Sequence, residues 1–154
     1  MDLEARAHAE HPEELRLWLR LLTCTQLIER DLRSHLREQF ETTLPRFDLM
    51  AQLERAPQGL RMSELSRRMM VTGGNVTGIT DQLEAEGLVE RVSVEGDRRA
   101  FLVQLTPKGR KQFNAMAEAH ENWIVEAFAG LTSDDIRSLH RLLGKVKHHF
   151  LETT

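Results

Sequence analysis

The 154-residue chain has no tyrosine, one cysteine (Cys24) and no long apolar run. A lone cysteine excludes an intramolecular disulfide and fits a reducing, cytoplasmic setting. No segment approaches the roughly 20 consecutive apolar residues that span a bilayer, so no membrane partner is expected. The N-terminal stretch MDLEARAHAEHPEEL is acidic and lacks an apolar segment, unlike a signal peptide. Positive charge is not in excess either: 21 Lys and Arg stand against 24 Asp and Glu, for a net charge of −3. That balance weighs mildly against a nucleic-acid partner. Catalytic signatures are also missing. GGNVTG lacks the Lys-Ser/Thr step of a phosphate-binding loop, and neither a Ser/His/Asp order nor a paired-carboxylate motif stands out. No enzyme and no cofactor are expected. Of the seven histidines, His148 and His149 suit a helix C-terminus, and none has a zinc-ligand spacing with cysteine, so no metal site is assigned.

What is present is a patterned stretch, MSELSRRMMVTGGNVTGITDQLEAEGLVERVSVEGDRRAFLVQLT, from Met62 to Thr106. Its periodicity predicts a short helix over about Met62–Met70, with Ser63 as N-cap. A second helix starts near Gly73 or Gly74, capped by Thr72, and stops at Gly87. Val76, Ile79 and Leu83 form its inward stripe. Leu88–Val94 and Ala100–Leu105 alternate as strands, and Glu95–Arg99 forms the turn between them. Helix, turn, helix, hairpin is the winged helix-turn-helix plan, found mostly in proteins that bind duplex DNA. The missing net positive charge is partly answered locally, because Arg61, Arg67, Arg68, Arg91, Arg98, Arg99, Lys108 and Arg110 fall in or beside this stretch.

Helices are predicted on both sides. One runs from Pro12 to about Phe40, with apolar positions Leu15, Trp18, Leu22 and Leu21, Cys24, Ile28, Leu32 that drift around its axis. Another starts at Pro45 and reaches about Arg55, after which Ala56–Leu60 reads as a loop with Pro57 and Gly59. Thr106-Pro107 is a strong helix start, and Thr132-Ser133-Asp134-Asp135 is another. In the last helix Ile136, Leu139, Leu143, Val146 and Phe150 recur at steps of three and four, the narrow seam of a helix packed on a helix. So small a domain cannot easily bury all of these stripes alone, and a homodimer through the first and last helices is expected. The expected division is an N-terminal arm and dimerisation helix over 1–43, a reading domain over 44–106 and C-terminal dimerisation helices over 107–154.

The segments LPRFDLMAQL, MSELSRRMMVTGGNVTGITDQLEAEGLVER and GDRRAFLVQLTPKGR, with the closing two-helix tail, resemble the MarR family of bacterial regulators. The resemblance implies a mainly α fold with a small β-hairpin wing, in the order α1-α2-α3-α4-β-β-α5-α6. It implies a homodimer on a palindromic double-stranded operator, usually as a repressor that a small ligand or oxidation releases. The DNA-contacting set it implies is Ser63, Thr72, Gly74, Asn75, Thr77, Asp97, Arg98 and Arg99, with Gly78 allowing close backbone approach. Asparagine can pair bidentately with adenine, and threonine can meet a thymine methyl or a phosphate. The wing's Asp-x-Arg would place Arg99 in the minor groove, with Asp97 holding the tip.

The signal that releases the protein is less legible. Parts of the first two helices are similar to a subgroup that responds to aromatic acids or their coenzyme A thioesters. Trp18, Leu22, Phe47 and Met50 would wall an aromatic pocket, and Arg16, Arg20 or Arg46 would meet its carboxylate or phosphates. The alternative for these residues is ordinary core and solvated surface. Cys24 offers oxidation as another input, but it lies on an apolar stripe, where an inert core thiol is the default. Peroxide-sensing relatives hold their thiolate with tyrosines, and this chain has none. A winged-helix module that binds proteins rather than DNA is the other alternative.

Overall fold

The computed structural model describes residues 11–69 and 75–152, less the Arg98 side chain. Six helices and one hairpin follow in the order α1 (Glu13–Phe40), α2 (Leu44–Glu54), α3 (Met62–Arg68), α4 (Val76–Ala85), β1 (Val89–Val94), β2 (Asp97–Leu105), α5 (Pro107–Ala127) and α6 (Ser133–Glu152). This is the winged helix-turn-helix order expected from the sequence. The chain forms two compact units, one up to Ala119 and one from His120 on, with the division inside α5.

The first unit is built around α2. Leu44, Phe47, Leu49, Met50, Gln52 and Leu53 of this 11-residue helix are all buried. These buried positions lie nearly all round the helix, and α2 touches α1, α3, α4 and β2. Thr43 caps it, its hydroxyl accepting the Arg46 N–H at 3.3 Å, and Pro45 sits in the first turn, where it costs no hydrogen bond. Phe47 stacks on Phe113 of α5 with ring centroids 5.5 Å apart. Leu36, Leu49, Leu53, Leu65, Leu83 and Val103 are fully buried. Each such side chain contributes about 1.5–3 kcal/mol relative to exposure, against at most about 1 kcal/mol for an exposed ion pair. Apolar burial therefore carries the fold, and charged contacts adjust its geometry.

Several boundaries differ from the sequence reading. The third helix starts at Met62 with Arg61 at the cap position, so Ser63 is not the N-cap. There the Arg61 N–H is taken by the Glu64 carboxylate at 3.4 Å. Helix α4 begins at Val76, with Asn75 as N-cap in place of Thr72; Met70, Thr72, Gly73 and Gly74 lie outside the described residues. Thr80, not part of the expected stripe, is fully buried on α4. Its hydroxyl donates to the Val76 carbonyl at 2.7 Å, which satisfies it within its own helix. The end of the expected loop is also structured. Leu60 exchanges two backbone hydrogen bonds with Val103, of 2.9 and 2.8 Å, and so adds a one-residue third strand to the hairpin. Gly59 permits this with φ of +95°, since a Cβ there would come within 3.0 Å of the Val103 carbonyl oxygen.

The second unit holds α6, started by a reciprocal cap. The Thr132 hydroxyl accepts the Asp135 N–H at 3.1 Å, and the Asp135 carboxylate accepts the Thr132 N–H at 3.0 Å. The Thr132 backbone and hydroxyl bonds hold the Asp135 carboxyl below its ordinary pKa. The seam residues Ile136, Leu139, Leu143, Val146 and Phe150 are all exposed in the single chain.

The junction of β2 and α5 depends on close approach. Thr106 donates its hydroxyl to the Gly87 carbonyl at 2.6 Å and accepts the Gly109 N–H at 3.0 Å. A Cβ on Gly109 would lie 1.9 Å from the Leu88 carbonyl oxygen. That oxygen accepts the Thr106 N–H, so backbone and not a flexible side chain would have to move. Gly109→Ala is expected to destabilise the protein by about 1–3 kcal/mol. Thermal unfolding beside the parental chain measures this, and an unchanged midpoint would disprove the packing account.

Candidate nucleic-acid interface

Helix α4 presents one face inward and leaves its front open. Leu83 and Thr80 are buried, while Asn75 and Thr77 are exposed. The Asn75 side-chain oxygen accepts the Gly78 N–H at 3.0 Å, which ties it to the first turn. A Cβ on Gly78 would stand 3.0 Å from the Asn75 amide nitrogen. Gly78 thus makes room for the cap, a role separate from the close backbone approach expected of it. Bidentate pairing of Asn75 with adenine would have to share an oxygen already engaged in capping. Ser63, in the first turn of α3, is exposed.

The back of α4 is fastened at the Glu86–Leu88 turn. Gly87 takes φ of +76°, and the Leu88 N–H returns to the Leu83 carbonyl at 2.9 Å. Glu86 joins two neighbours: its carboxylate meets Arg46 of α2 at 2.5 Å, and its carbonyl accepts from Lys108 of α5 at 2.9 Å. On the adjoining face Arg91 of β1 reaches Asp81 and Glu84, each at 2.6 Å. Partial burial works against the Arg91 cation, but the hydrogen bonds and charges of the two carboxylates outweigh it and raise its pKa above the ordinary arginine value. Arg91 and Lys108, which the sequence places among the basic residues of the reading stretch, are therefore engaged inside the protein.

The wing turns more tightly than expected. Val94 faces Asp97 across a two-residue turn, Glu95-Gly96, with Gly96 at φ of +87°. Asp97 and Arg99 thus belong to β2 and not to the turn. The next matched pair is Ser93 with Phe101, so Arg98, Arg99 and Ala100 bulge opposite no residue of β1. The Asp97 carboxylate accepts the Arg99 N–H at 2.9 Å, and both residues are exposed. The Arg98 side chain is outside the described set.

The residues expected to form a ligand pocket are dispersed in character. Phe47 and Met50 are buried core. Arg46 does meet a carboxylate, but it is the chain's own Glu86, and the Arg46 Nε is buried without a hydrogen-bond partner. Leu22 is half-buried, and Trp18 is 55% exposed. Arg16 and Arg20 are exposed and line, with Glu13 and Leu17, a shallow hollow of about 280 Å³ on α1. Cys24, expected as a core thiol, is exposed in the single chain. Among the described residues no cluster of three His, Cys, Asp or Glu could hold a metal, and no helix is long and apolar enough to cross a membrane.

An open helix front beside an arginine-bearing hairpin defines a winged helix-turn-helix DNA-binding fold. A MarR family model matches residues 41–100. The MarR family transcriptional regulator from Silicibacter pomeroyi is 30% identical and superposes with a TM-score of 0.79, covering 94% of this chain and 99% of that one. A mutant MarR from E. coli, solved in complex with operator DNA, is 27% identical with a TM-score of 0.74, over 87% of this chain and 95% of that one. The HTH-type transcriptional regulator PecS of Dickeya dadantii is 29% identical over 115 residues, 73% of this chain and 69% of its own. The chain belongs to the MarR family of transcriptional regulators. PecS and the Silicibacter pomeroyi protein are both described as transcriptional regulators.

The cap on α4 is testable apart from DNA. Serine caps as well as asparagine does, whereas alanine cannot cap and costs about 1 kcal/mol. Asn75→Ser is expected to keep the denaturation midpoint and Asn75→Ala to lower it. An equal drop in both variants would rule out capping as the stabilising role.

Proposed function

We propose that the protein is a dimeric repressor that reads a palindromic operator with the front of α4 and with the wing. The observation that carries this is the exposure of Asn75, Thr77 and Arg99 on one reader whose back is fastened by Arg46, Lys108 and Arg91. Ser63, Thr72, Gly74, Asp97 and Arg98 complete the proposed contact set. Residues 44–106 form the reading domain. The exposed apolar residues of α1 (Leu17, Trp18, Leu27) and of α6 are what a second copy would cover, which supports a dimerisation role for 1–43 and 107–154.

Arg99→Ala is expected to weaken operator binding and to reduce the salt slope of log affinity by about 1, because one charged group no longer meets the groove or a phosphate. Affinity measured at several salt concentrations checks this; an unchanged affinity and slope would remove Arg99 from the interface.

For release, the reading is a small aromatic acid or its coenzyme A thioester. Support comes from Arg16 and Arg20, one turn apart on the same exposed face of α1, which line a hollow with Glu13 and Leu17 where cations suit a carboxylate or phosphate. The effector should raise the melting temperature, since a ligand that binds only the native state stabilises it. A panel of free aromatic acids and their thioesters that leaves the melt unmoved would reject this effector class.

A further inference from the structure

Arg91 joins the reading helix to both strands of the wing. It lies in the middle of β1, opposite Val103. One terminal nitrogen of its guanidinium reaches Asp81 and the other reaches Glu84, both at 2.6 Å. These carboxylates stand three residues apart on α4, hence on one face of the helix. The guanidinium carbon is 5.4 Å from the centroid of the Phe101 ring on β2. Phe101 is also the residue of β2 at which regular pairing meets the Arg98–Ala100 bulge. The brace therefore sits where cross-strand pairing stops guiding the wing.

We propose that Arg91 is a positioning residue for DNA binding, setting the angle between α4 and the wing so that both meet the duplex together. This rests on the wing's role in the proposed function. The residue type fits the task. A planar fork can direct two donors to two carboxylates while its face lies on a ring, whereas a lysine ammonium is a single point charge on a flexible stem. A wing without this brace would have to be ordered at the moment of binding, which weakens affinity even though every group that meets DNA is still present. Arg91 also cancels two negative charges on the reading helix, and the test must separate that effect from positioning.

The test uses the full-length protein and a duplex selected from a random pool by the parental chain. Arg91→Ala and Arg99→Ala are each expected to weaken binding about tenfold. The double variant should be little weaker than either, because the brace acts through the interaction that Arg99 makes and the two are coupled. Arg91→Lys should fall between the parental protein and Arg91→Ala, and it serves as the readout should Arg91→Ala not fold. Arg91→Ala combined with Asp81→Asn and Glu84→Gln should remain weak. Recovery of affinity in that neutral triple variant would overturn positioning in favour of charge cancellation. An Arg91→Ala affinity within about twofold of parental, or additive effects in the double variant, would also overturn it. If no duplex is selected, or if Arg99→Ala binds normally, the wing reading itself fails and Arg91 has nothing to position. A weak Arg99→Ala beside a normal Arg91→Ala leaves that reading intact and removes only the brace.

Discussion

Much of this structure hangs on the turn Glu86–Leu88, where the back of the reading helix is joined to its neighbours. The Leu88 carbonyl fits against Gly109 with no room for a Cβ. Thr106 and Lys108 seal the Gly87 and Glu86 carbonyls from the start of α5, and Arg46 draws in the Glu86 side chain from α2. Each contact alone is small. Together they over-determine the direction of α4, as preorganisation of a binding site requires. The consequence is a helix held at its C-terminal end and open at the front, where polar groups can meet a duplex.

The same economy explains the near-neutral charge. A reader needs cations at the surface that meets phosphate, not a high net charge. Two basic residues in or beside the reading stretch serve internal geometry instead: Arg91 holds two carboxylates and Lys108 donates to a carbonyl. Arg99 has its backbone fixed by Asp97 while its side chain stays exposed. The number of basic residues alone would have assigned all of them to one task.

The two ends of the chain show a different balance. The seam of α6 is a regular apolar row left exposed in the single chain, and α1 carries a similar surplus around Trp18. Apolar area of this kind is unfavourable in water and is normally covered. Helix α2 touches α1, α4 and β2 together, and the Arg46–Glu86 pair ties it to the turn behind the reading helix.

The sequence alone determined the element order, the wing, the cap at Thr106, the helix start at Thr132–Asp135 and the glycine stop at Gly87. Each depends on local chemistry: helical periodicity, a hydroxyl before a first turn, or a residue tolerant of positive φ. It did not reveal Asn75 as the cap of α4, since Thr72, Asn75 and the glycines between offer competing starts, and the burial of Thr80 and Leu83 decides where the helix can lie. It could not show that Phe47 and Met50 are core, that Arg46 is bound to Glu86, or that Leu60 joins the hairpin. Those outcomes pair residues that are far apart in the chain, and only packing brings them together. The bracing of Arg91 by Asp81, Glu84 and Phe101 is of the same kind. Its residue types are visible in the sequence, but their meeting is decided by how the wing folds back on α4.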